Sequence, residues 1–116
     1  MTTNQDGEVQ RAWGVPEKYV GTPVDYAGEW GIVQDDLVLG LGRAMNGYAE
    51  TDACIRAMAT AGDADSLAAW RDSEVWASIG AETAESAEAG EEYAADVRAA
   101  FDRLIAALPI SPYCVD

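Results

Sequence analysis

Five carboxylates, Glu82, Glu85, Glu88, Glu92 and Asp96, recur every three or four residues in the last third of the chain. On an α-helix that spacing places them along one face, with about 4.5–6 Å of rise between successive groups. Successive phosphates of one nucleic-acid strand are spaced comparably. A rigid array of this kind would fit a groove built for phosphate backbone. It would use the same Arg and Lys contacts and release the same counterions. Glu91, Asp102 and the acids at positions 35, 36, 50, 52, 63, 65, 72 and 74 extend the negative surface. Arg98 and Arg103 are the cations of the segment, and they lie towards its C-terminal end, where the helix dipole favours positive charge.

Other chemistry finds little support. General acid–base catalysis most often uses histidine, and the chain has none. Lys18 is the sole lysine, so a serine nucleophile lacks the usual bases. Di-metal carboxylate bundles combine Glu with Glu-x-x-His. Here Glu82-x-x-Glu85-x-x-Glu88 supplies carboxylates only, on the expected solvent face. Cys54 and Cys114 match no zinc spacing. Gly40-Leu41-Gly42 lacks both the third glycine and the preceding strand of a nucleotide fingerprint. The expectation is a protein that is not an enzyme and holds no cofactor and no metal. A glycosidase-like carboxylate pair leaves no mark in sequence alone.

The charge balance points the same way. Twenty-one acids face seven Lys and Arg, for a net charge of −14. Such a surface repels nucleic acid and anionic membranes, so neither is an expected partner; a basic protein surface is. The bland alternatives are an acidic face that serves solubility, or adaptation to high salt. The first ten residues lack the basic and apolar regions of a signal peptide. No apolar run reaches the ~18 residues of a membrane span. A cytoplasmic protein with reduced thiols is expected, Cys54 being a core residue on a helix face.

The elements that position the acids follow from periodicity. From Ser73 to Leu108, Val75, Trp76, Ile79, Thr83, Ala87, Tyr93, Ala94, Val97, Phe101, Leu104 and Leu108 share an apolar face. An unbroken helix there would be ~54 Å long, more than a domain of this size accommodates. Gly80 and Gly90 are the expected breaks, giving helices at about 73–88 and 91–108; a continuous helix closely crossed at Gly90 is the alternative. Leu37, Val38, Leu41, Met45 and Tyr48 mark an earlier helix opened by Asp35 or Asp36. Gly40 and Gly42 weaken it by up to ~1 kcal/mol each, which suits a close backbone approach. That helix either breaks near Asn46-Gly47 or runs through to Ala61. In the first case Thr51 caps a helix that buries Ala53, Cys54, Ala57, Met58 and Ala61 and stops at Gly62. Asp63 or Asp65 caps the next, around Leu67 and Trp70.

Between Trp13 and Val33, glycine and proline recur too often for a long helix. Three short pieces, at 19–20, 24–26 and 30–33, have strand character, but an irregular wrap is preferred. The fold expected is mostly α, a compact bundle of four to five helices with an irregular aromatic N-terminal segment. Its organisation is a flexible N-terminus at 1–12, one helical domain at 13–108 and a tail at 109–116.

In character rather than in motif, the chain resembles small acidic proteins that phages and mobile elements direct against host nucleic-acid machinery, nucleic-acid mimics and CRISPR inhibitors among them. The resemblance implies a non-enzymatic inhibitor that occludes a basic surface of a nucleic-acid-binding effector, as anti-CRISPR and anti-restriction proteins do. Glu82, Glu85, Glu88, Glu92 and Asp96 would make the contacts, with Trp13, Tyr19, Tyr26 and Trp30 as aromatic anchors. A second reading is a helical assembly protein whose aromatics are buried by self-association into a homo-oligomer. A third is a small enzyme or ligand carrier with a pocket near Gly40 and Gly42.

Overall fold

Glycine stops and polar caps divide the chain into helices. The computed structural model describes residues 9–22, 36–45, 49–78 and 85–108. Among them are six α-helical segments: α1 at 9–12, α2 at Asp36–Met45, α3 at Ala49–Ala61, α4 at Ala64–Ser73, α5 at 75–78 and α6 at Ala87–Ala107. A 3-10 turn spans Glu17–Tyr19. No strand occurs among the described residues. The mostly α expectation holds, with slightly more helices than four or five. Of the three pieces with strand character, 19–20 belongs to the 3-10 turn and its exit, while 24–26 and 30–33 lie outside the described residues.

The ends of the helices have specific causes. Gly14 takes φ +78°, and the Val15 amide donates back to the Gln10 carbonyl at 3.0 Å, closing α1. Gly62 takes φ +69°, and the Asp63 amide donates to the Met58 carbonyl at 2.9 Å, closing α3. Asp63 then caps α4, its side chain accepting from the Ser66 amide at 3.1 Å. Glu74 ends α4 in the left-handed region at φ +54°, a conformation that costs a non-glycine residue about 1–2 kcal/mol. Ser86 caps α6 by accepting from the Ala89 amide at 3.1 Å.

That last cap corrects the expected 73–88 and 91–108 division. The final helix starts at Ala87 and passes through Gly90 without a break. The Gly90 amide donates to the Ser86 carbonyl at 3.1 Å, so this glycine sits in the first turn of an already capped helix. Thr51 is likewise not a cap, since α3 begins two residues earlier and Thr51 is fully buried. Residues 9–12, grouped with the N-terminal extension on sequence grounds, are helical and bury Gln10 completely.

α6 lays Val97, Ala100, Phe101 and Leu104 against α2 and α4, and all four are buried. α2 answers with Val38, Leu41 and Met45, in the phase the sequence predicts. α3 is buried over a wider arc than expected, adding Ile55 and Ala59 to Ala53, Cys54 and Met58, while Ala61 is exposed. Trp70 meets Phe101 edge-on, with ring centroids 5.5 Å apart. Trp76 lies 6.0 Å from Phe101 and 6.3 Å from Tyr93. Each such aromatic pair contributes roughly 0.5–1.5 kcal/mol beyond its burial.

The buried indoles need partners, and the backbone provides them. Trp70 Nε1 donates to the Trp13 carbonyl at 2.9 Å, and Trp76 Nε1 donates to the Trp70 carbonyl at 3.1 Å. Three tryptophans spread along the sequence are thereby tied into one core. Val75, assigned to the apolar face by periodicity, is instead 40% exposed, because the turn at Glu74 resets the phase and sends Trp76 inward.

Candidate functional site

The acidic array is supplied mainly by α6. Glu88, Glu92 and Asp96 stand four residues apart on its exposed side, about 6 Å of rise per step. Glu91 is exposed beside them. Glu88 lies in the first turn, where the helix dipole favours negative charge. Glu85 is exposed too, but it precedes the Ser86 cap, so it is not a rung of the same helix. Glu82 lies outside the described residues. The acids expected across two helices, at about 73–88 and 91–108, are thus redistributed among the described residues: Glu88, Glu92 and Asp96 share α6, and Glu85 stands before its N-cap.

Three of the cations, Lys18, Arg71 and Arg98, are committed elsewhere. Arg98 Nη1 pairs with Glu74 Oε2 at 2.7 Å. Arg71 bridges Asp102 at 2.8 Å and Asp72 at 2.9 Å. Lys18 Nζ lies 3.0 Å from Asp63 Oδ2. Among the described residues, none of these pairs involves Glu85, Glu88, Glu91, Glu92 or Asp96. Water and counterions are left to screen that face.

The aromatic anchors fare differently. Trp13 is 4% exposed, its indole packed in the core, and it presents no surface to a partner. The helical cap at Gly14 and the bond from Trp70 hold it there. Tyr19 is half-buried, and its hydroxyl donates to Asp63 Oδ2 at 2.8 Å. Burial first, and then the bond to Asp63, push the Tyr19 phenol up to about 12. Tyr19 therefore joins the 3-10 turn to the α3–α4 corner. Tyr26 and Trp30 lie outside the described residues.

An open groove of about 660 Å³ runs beside α6, lined by Glu74, Ala77, Ser86, Ala87, Gly90, Glu91, Ala94 and Arg98. It is not where the third sequence reading put a pocket. At Gly42 the space is filled by the Asp52 carboxylate, whereas Gly40 faces open space, with no atom within 4 Å of where a Cβ would stand. Among the described residues no three carboxylate or thiol side chains come together as a metal site. None of the described helices is long and apolar enough to cross a membrane.

Comparison with known protein families, with characterised proteins and with solved structures finds no match to this chain.

Proposed function

We propose that this protein is a non-enzymatic binding protein that occludes a basic surface on a nucleic-acid-binding partner. The supporting observation is the exposed row Glu88, Glu92 and Asp96 on a well-packed helix, none of whose carboxylates enters an ion pair among the described residues. The inner face of α6 fixes the backbone under the row, so the charges are presented without further ordering of the helix. Glu85 and Glu82 extend the contact, and Tyr26 and Trp30 are its remaining aromatic anchors. Inhibition of a phage-defence effector, of the CRISPR or restriction kind, is the finer form of the same reading.

The test is displacement of a labelled DNA duplex from a panel of such effectors, read against salt. A partner should be captured with an affinity that falls steeply as salt rises. Glu88→Lys combined with Glu92→Lys should weaken capture by about tenfold or more while leaving helix content unchanged. An affinity indifferent to both salt and charge reversal would overturn the proposal. The assembly reading has less to draw on, because Trp13, Trp70, Trp76 and Phe101 are already buried within one chain.

A further inference from the structure

The α2–α3 contact contains a carboxylate that the acidic surface does not use. Asp52 lies in the first turn of α3 and is directed at Gly42 of α2. A Cβ placed on Gly42 would collide with Asp52 Oδ1 and stand 3.1 Å from its carboxyl carbon. Gly42 itself is buried. Asp52 Oδ1 is sealed from solvent and has no hydrogen-bond partner among the described residues. An ionised oxygen in that position loses its hydration without replacement, and a protonated carboxyl loses far less.

We propose that Asp52 makes the packing of α2 against α3 pH-sensitive, tight when its carboxyl is protonated and loosened when it ionises. Among the described residues no ion pair reaches Asp52. Arg43 follows Gly42 on α2 and is exposed, and Arg56 stands one turn further along α3. Asp36 and Glu50 are the other acids of the two helices. On the 3-10 turn that also packs on α3, Lys18 is engaged by Asp63. Burial alone pushes the Asp52 carboxyl up from 3.8 to about 6. Because α2 also packs on α6, the loosening reaches the helix that carries the acidic row.

The sign follows from proton linkage. Between the unfolded value and about pH 6 the native state holds a proton that the unfolded chain has released. Stability therefore falls as pH rises through that window and levels off above it. The folding equilibrium constant should drop by about a hundredfold across the window.

The experiment compares urea denaturation of the whole chain and of Asp52→Asn at intervals from pH 4 to pH 8. The variant should lose most of the decline between pH 4 and pH 7 and should be the more stable protein at pH 7. Parallel curves for the two would overturn the proposal. Carbon-13 titration of the Asp52 carboxyl in the unmodified protein gives an answer even if the variant does not fold. A midpoint near 6 supports the proposal, and a midpoint near 4 overturns it.

Discussion

At the scale of single residues, Asp63 combines a helix cap with contacts to two side chains distant in sequence. It caps α4, accepts from the Tyr19 hydroxyl and pairs with Lys18. The hydrogen bond from Lys18, followed by that from Tyr19, holds its carboxyl well below the ordinary 3.8. Its contribution is thus fully present above the unfolded value and is lost as pH falls through the folded one. Asp63→Asn keeps a capping side chain but removes the charge. It should cost about 1–2 kcal/mol at pH 7, discounted for the exposed Lys18, and flatten the loss of stability below pH 4. Chemical denaturation across the acid range checks this. The sequence narrowed the cap to Asp63 or Asp65, and the bond from the Ser66 amide selects Asp63. The bonds to Lys18 and Tyr19 were not readable there, because they join residues 45 and 44 positions apart.

At the scale of elements, the two glycines of α2 separate intrinsic propensity from packing. Both lower helix propensity, and sequence alone treats them alike. Nothing lies within 4 Å of a Cβ on Gly40, whereas the Asp52 carboxylate occupies the space at Gly42. Gly40→Ala should stabilise the protein by up to ~1 kcal/mol. Gly42→Ala should destabilise it, by about 1–3 kcal/mol, since α2 or Asp52 must move. Thermal melts should therefore place the two variants on opposite sides of the parent protein. The close approach expected at these glycines thus comes from a side chain rather than a backbone, and at only one of them. The ladder on α6 shows the converse limit. The phase of Val97, Phe101 and Leu104 was plain from spacing, but the start of the helix depended on which of several polar residues formed the cap. Ser86 did, and this left Glu85 outside the helical row.

At the scale of the whole molecule, a net charge of −14 strains the folded state through self-repulsion. Raising ionic strength shortens the Debye length from ~30 Å at 0.01 M to ~8 Å at 0.15 M. The melting temperature should rise by roughly 2–8 °C over that range and then level off as screening saturates. Calorimetry in KCl measures it. A rise that continues into molar salt would favour adaptation to a salty environment over a surface made for a partner. The core that resists this repulsion is aromatic, with Trp13, Trp70, Trp76 and Phe101 drawn together from both halves of the chain.

Periodicity, caps and charge are local or summed properties, so the chain's own order of residues determined them. The helical class, the stop at Gly62, the inner face of α6 and the acidity of the surface all belong to that group. Tertiary structure decided what depends on neighbours distant in sequence. It sent Trp13 into the core instead of to a partner, left Val75 part-exposed beside Gly14, placed Arg71 and Arg98 on acids outside the Glu88–Asp96 row, and set Asp52 against Gly42 without a hydrogen bond on its buried oxygen. Such outcomes rest on which side chains compete for the same buried volume, and spacing along one helix carries no record of that competition.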